Sequence, residues 1–83
     1  MDEQWAVDRL LKLTTPAIYG EDVTNVERVL VTKGFLDRAD DLFDGYTENA
    51  VKMFQRSKGL KDDGVVGEKT VKALGGKWTG PKY

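Results

Sequence analysis

The side chains best placed to do chemistry in this chain are Tyr46, Asn49, Gln55, Arg56 and Lys58, gathered in one short stretch. Most are polar or aromatic groups with no evident packing role. Arg56 and Lys58 suit carboxylates. Gln55, beside Phe54, can bond a loop backbone as well as a ligand. Such groups bind; they do not cleave. The chain has no histidine and no cysteine. The commonest general base and the thiolate metal sites are therefore missing, and neither a Ser-His-Asp nor a Cys-His nucleophile can be assembled. Ser57 is the only serine, in a Lys/Arg-rich stretch. Nine Asp and five Glu contain enough carboxyls for a glycosidase pair, which needs a separation of ~5–10 Å. Nothing positions two of them in a closed site, and so short a chain can hardly desolvate one. No catalytic residue is assigned, and no cofactor is expected.

These side chains need elements to hold them, and residues 44–74 write one phrase twice. The first copy is Asp44-Gly45-Tyr46-Thr47-Glu48-Asn49-Ala50-Val51, running into Met53-Phe54-Gln55. The second is Asp63-Gly64-Val65-Val66-Gly67-Glu68-Lys69-Thr70-Val71-Lys72-Ala73-Leu74. Each has an Asp-Gly turn followed by Thr-x-x-Ala-(Val/Leu), which reads as a turn and a short helix. A helix that begins near Asp44 or Thr47 and runs to about Lys58 carries the stripe Ala50, Val51 and Phe54, with Met53 at its edge. Gly59 closes it, and Leu60 covers its end. A further helix opens at Gly67 or Thr70 and ends at Leu74, with both threonines inside the first turn. Upstream, Val23, Val26, Val29 and Leu30 form a helical stripe over about 22–33. Asp22 reads as its N-cap and Gly34 as its stop. Phe35 then folds back onto it. Pro16 disfavours helix at Thr15, so residues 9–19 read as an extended or partly helical strap laid over the core.

The fold class expected is all-α: a compact three-helix orthogonal bundle with an N-terminal strap. At 83 residues the chain makes one domain with a small core, able to support a shallow groove. Its core candidates are Val23, Val26, Leu30, Phe35, Val51, Phe54, Leu60, Val71 and Leu74. The domain spans 9–76, with 1–8 as lead-in or linker and 77–83 as tail or linker. No apolar run approaches a membrane span, and the acidic start is not a signal peptide. Residues 1–51 hold five Lys/Arg against eleven Asp/Glu, and residues 52–83 hold eight against three. Two solvated faces explain this, and so does a basic surface for an anionic partner. The acidic stretch Asp37–Asp44 invites a calcium loop, but Leu42 occupies a ligand position, so no metal is expected.

The order Arg9-Leu10-Leu11-x-Leu13-x-x-Pro16-x-x-x-Gly20-x-Asp22-Val23, Gly34-Phe35, Asp44-Gly45-x-Thr47-x-x-Ala50-Val51-x-x-Phe54-Gln55 and Gly59-Leu60-x-x-Asp63-Gly64-x-Val66-Gly67-x-x-Thr70-x-x-Ala73-Leu74 resembles the peptidoglycan-binding domain family. The resemblance covers about residues 9–75. Glu27 stands where that family usually has glutamine, and Val26 where it has leucine. The stretch from Asp44 to Thr47 is shorter than in many members.

The resemblance implies a non-catalytic bacterial cell-wall module that anchors a linked hydrolase, or a phage or spore component, to peptidoglycan. Tyr46 would lie against a sugar or a stem peptide, with Asn49 beside it. Gln55 is a further candidate contact, and Arg56 and Lys58 would meet lactyl or stem-peptide carboxylates. The implied partners are the glycan strand or stem peptide and a linked catalytic domain, with no membrane and a monomeric state. The implied place is the cell wall or the extracellular space. One alternative is a protein-interaction or shielding domain on the same fold. Another is a helix-turn-helix nucleic-acid domain, disfavoured because the last helix offers only Lys69 and Lys72 and no base-reading Arg, Asn or Gln. Trp5 and Trp78 could stack on glycan, but pinning a strap or tail is the preferred use.

Overall fold

A computed structural model describes residues 5–82. Three helices dominate it: α1 (Glu21–Thr32), α2 (Gly45–Ser57) and α3 (Glu68–Leu74). Two short strands, β1 (Ala6–Val7) and β2 (Lys77–Trp78), pair in parallel with Ala6 opposite Lys77 and Val7 opposite Trp78. The fold is therefore mostly helical with a small strand pair.

The helix ends follow from the sequence. Asp44 is the N-cap of α2, its carboxylate accepting from the Thr47 amide at 3.1 Å. Gly67 holds the same place before α3 without a side-chain cap. Each helix closes on a glycine with positive φ (Gly34, Gly59 and Gly75), followed by a backbone bond that reaches back five residues. Phe35 N–H donates to Leu30 O, Leu60 N–H to Gln55 O, and Gly76 N–H to Val71 O. This is the Schellman closure, in which the left-handed residue satisfies the last carbonyls.

α1 packs against both α2 and α3. Its buried face is Val23, Val26, Glu27 and Leu30, against Ala50, Val51 and Phe54 of α2 and Val71 and Leu74 of α3. Phe35 meets Phe54 edge to face at 5.9 Å between ring centroids. Of the core candidates, Phe35 is half-buried against this cluster, and Leu60 is half-buried beside the concavity between α2 and α3.

Two expectations are corrected. Asp22 does not cap α1: the N-cap is Gly20, and Asp22 lies inside the first turn. Its carboxylate is taken by Arg9, at 2.8 Å from Nε and 3.0 Å from a terminal nitrogen. That contact holds the Asp22 carboxyl below its ordinary range and raises Arg9. The two Asp-Gly pairs are not equivalent either. Asp44-Gly45 caps and opens α2, whereas Asp63-Gly64 turns the chain well ahead of α3, with Gly64 at φ 75°. The true correspondence sets Phe43 with Val66, Asp44 with Gly67 and Thr47 with Thr70.

The lead-in and tail are also part of the packed unit where they are described. Val7 is fully buried, and Trp5 and Trp78 pack against the core. A Cβ on Gly76 would sit 2.6 Å from the Trp5 ring, so the ring lies directly on that backbone. Met1–Gln4 and Tyr83, the outer parts of the expected lead-in and tail, fall outside the described residues.

Residues 8–20 contain no helix. Leu11 exchanges both backbone bonds with Val66, at 3.1 and 2.8 Å. Further on, Phe43 N–H donates to Ile18 O, and Gly20 N–H to Asp41 O. The segment thus fixes the chain just before α2 and just before α3, where Phe43 and Val66 are buried.

Candidate functional site

α2 carries most of the candidate ligand groups. Residues 46, 49, 53 and 56 follow i, i+3, i+7 and i+10, which puts them on one stripe of a helix. Tyr46, Asn49, Met53 and Arg56 lie on the side away from Ala50, Val51 and Phe54, with Tyr46 and Arg56 exposed at its two ends. The stripe spans ~15 Å at the helical rise. Tyr46 is 81% exposed, the most open large apolar group among the described residues. Asn49 Nδ2 lies 3.6 Å from Met53 Sδ. From the sequence Met53 reads only as the edge of the core stripe. Its spacing from Tyr46 and Asn49 is the available sign that it belongs with them.

Arg56 donates from Nε to Asp62 at 2.7 Å, and its two terminal nitrogens have no hydrogen-bond partner among the described residues. The guanidinium holds the Asp62 carboxyl below its ordinary range. Both groups are largely exposed, so the pair adds little to stability. Lys58 is the C-cap residue of α2, exposed and without an ion-pair partner among the described residues.

Gln55 lies on the opposite side of the helix and is 1% exposed. Its Oε1 accepts from Gly64 N–H at 3.0 Å. Its Nε2 donates to Val65 O at 3.0 Å, Thr70 Oγ1 at 3.1 Å and Asp63 Oδ1 at 3.2 Å. Its two N–H donors are shared among three oxygens, so this enclosed amide holds the turn before α3. Of its two readings from sequence, the geometry is that of the loop bond.

Glu27 has the matching role at the preceding joint, between α1 and the loop before α2. Its Oε1 accepts from Asp40 N–H at 2.8 Å and its Oε2 from the Thr47 hydroxyl at 2.5 Å. The residue is 1% exposed. Burial pushes its carboxyl up to about 7, against the opposing pull of those hydrogen bonds. Glu27 and Thr47 lie at one side of a cleft of about 530 Å³ whose rim includes Tyr46. A second concavity of about 460 Å³ lies between the end of α2 and the start of α3, with Leu10, Leu60, Lys61 and Lys69 among its walls. Among the described residues no group of acidic side chains is arranged to hold a metal ion.

The described residues make a small helical unit with shallow clefts and an exposed polar-aromatic stripe on α2, surfaces that suit binding rather than a closed catalytic site. The comparison with known families agrees. The peptidoglycan binding domain family matches residues 19–74, and the chain belongs to that family. It is similar to the N-acetylmuramoyl-L-alanine amidase CwlM of Mycobacterium tuberculosis, at 36% identity over 63 residues, which takes in 63% of this chain and 16% of the relative. The chain thus corresponds to about one sixth of that relative's length. No solved structure matches it.

Proposed function

We propose that this chain is a non-catalytic wall-anchoring module that holds a linked hydrolase, or a phage or spore component, on peptidoglycan. Its contact surface is the α2 stripe. Family membership makes the wall the expected ligand. The observation that carries the surface is the alignment of Tyr46, Asn49 and Arg56 along one outward line of α2. Tyr46 offers a ring face to a sugar or a peptide stem. Arg56, whose two terminal nitrogens have no partner among the described residues, and Lys58 offer charge to lactyl or stem-peptide carboxylates. Gln55 acts at one remove by shaping the turn. The finer architecture belongs to the same reading: residues 8–20 act as a strap over orthogonally packed helices. The protein works as a monomer at the cell wall or outside the cell.

Anchoring acts through local concentration. A weak attachment raises the effective concentration of a linked catalytic domain at an insoluble substrate. The amidase named among its relatives is the kind of enzyme such a module would serve. A nucleic-acid reading gains nothing from the geometry. α3 has seven residues, and Lys72 is tied to Glu68 at 2.8 Å.

Co-sedimentation with purified sacculi, teichoic acids removed, tests the reading at low and physiological salt. Retention at both salts is expected, with a weakened Y46A variant. A folded domain that stays in the supernatant at both salts overturns it.

A further inference from the structure

Glu27 is enclosed, yet no Lys or Arg among the described residues pairs with it. A lone buried carboxylate is costly unless it is neutralised or its solvation is replaced. The hydrogen bonds around it accept either protonation state. The Thr47 hydroxyl lies 2.5 Å from Glu27 Oε2 and 3.1 Å from Asp44 Oδ1, and it has one proton to give. With Glu27 ionised, that proton goes to Oε2. With Glu27 protonated on Oε2, the acid donates to Thr47 Oγ1, and Thr47 turns its own proton to Asp44. Asp40 N–H keeps Oε1 as acceptor in both states. The same short contacts therefore close around an acid without burying a charge.

We propose that Glu27 is a positioning residue acting as a proton-operated latch, which holds residues 36–44 and the first turn of α2 against α1 when protonated and releases them when charged. The charged groups facing it across the cleft are Asp37, Arg38 and Asp40 from the loop and Asp44 from the start of α2, three carboxylates against one guanidinium. α3 contributes no lining residue there. Raising residues 36–44 is the smallest movement that wets the carboxyl, because Asp40 caps it and the open cleft lies alongside. Once wet, Glu27 returns to ordinary carboxylate behaviour, near 4.5, from about 7 in the closed state. Linkage then requires the opening constant to grow with pH, by about thirtyfold between pH 5.5 and 8. Tyr46 adjoins Thr47, so the consequence for wall binding rests on the function proposed above. The latch itself is observable without ligand.

Amide hydrogen exchange by NMR, corrected for intrinsic rates, tests it on the wild type and on E27Q. Glutamine keeps an acceptor for Asp40 and gives Thr47 a donor, so it mimics the protonated acid. Expected in the wild type is a tenfold or larger loss of protection at Asp40 and Thr47 from pH 5.5 to 8, with Val71 of α3 staying better protected. E27Q should be flat. A Glu27 13Cδ titration of the wild type, which needs no variant, should show a midpoint well above the ordinary carboxylate range. The latch is overturned by an ordinary midpoint, by pH-independent protection, by an equal fall in E27Q, or by Asp40 opening only together with Val71. Loss of sacculus binding in both proteins at every pH would sink the wall reading and leave the latch standing.

Discussion

Replacing Gln55 with glutamate should destabilise the domain far more than the one-atom change suggests. Gln55 is enclosed, and its Nε2 faces three oxygens: Val65 O, Thr70 Oγ1 and Asp63 Oδ1. A carboxylate oxygen in that place would confront a carbonyl at about 3 Å and another carboxylate. Thr70 can turn its hydroxyl to donate, but the Val65 carbonyl cannot. Leaving one buried acceptor unpaired costs ~1–3 kcal/mol, and an uncompensated buried charge adds several more. A net loss of ~3–5 kcal/mol is expected at pH 7, most of the stability of a domain this small. Urea denaturation followed by circular dichroism at pH 7 and pH 5 reads it directly. Some of the loss should return at pH 5, where the introduced carboxyl, once protonated, can donate to Val65 O. A Q55E variant within ~0.5 kcal/mol of the wild type at pH 7, or one whose deficit is unchanged by acid, would refute the reasoning.

The converse substitution, E27Q, should stabilise at high pH. Glu27 is raised from 4.5 to about 7 on folding. Its contribution is therefore full below pH 4.5 and lost as pH rises through 7, a difference of at most ~3 kcal/mol. E27Q should exceed the wild type by ~1–3 kcal/mol at pH 8 and converge with it toward pH 4.5, measured by urea midpoints. Y46A should reduce retention on sacculi severalfold while moving the thermal midpoint by no more than ~2 °C, because the ring is exposed. G76A should cost ~1–3 kcal/mol by driving a Cβ into the Trp5 ring, with a red-shifted tryptophan emission as the marker.

The helices are legible in the sequence because their signals are local. Apolar stripes recur every three or four residues, and a glycine follows each one, so α2 and α3 lie where the pattern puts them. What escapes depends on distant partners. Asp22 reads as a cap because a carboxylate at a helix start usually is one, and its real partner, Arg9, lies thirteen residues upstream. The β1–β2 pair has two residues per strand, too few for any period, and joins the two ends of the domain. Phe43 sits outside every helical stripe, yet it is fully buried, and its amide donates to Ile18 O of the preceding segment. On α2 the stripe Tyr46, Asn49 and Arg56 follows from helical spacing once the register is known. The same register sends Gln55 inward.

Glu27 and Gln55 explain why the two joints of the repeat carry different residues. Each side chain reaches from one helix to a loop backbone and to the threonine in the first turn of the next helix. Gln55 meets a carbonyl and a carboxylate, so it must donate. Glu27 meets an amide N–H and a hydroxyl, and it need only accept. A carboxylate satisfies that pattern geometrically, and glutamine would satisfy it too. The difference is charge. Glutamine would make the first joint indifferent to pH, whereas glutamate makes it the one enclosed titrating group among the described residues, poised near neutrality by burial. That joint sits beneath Tyr46. Glutamate at position 27 therefore leaves the architecture of the repeat intact and puts proton dependence into the cleft bordering the proposed binding surface.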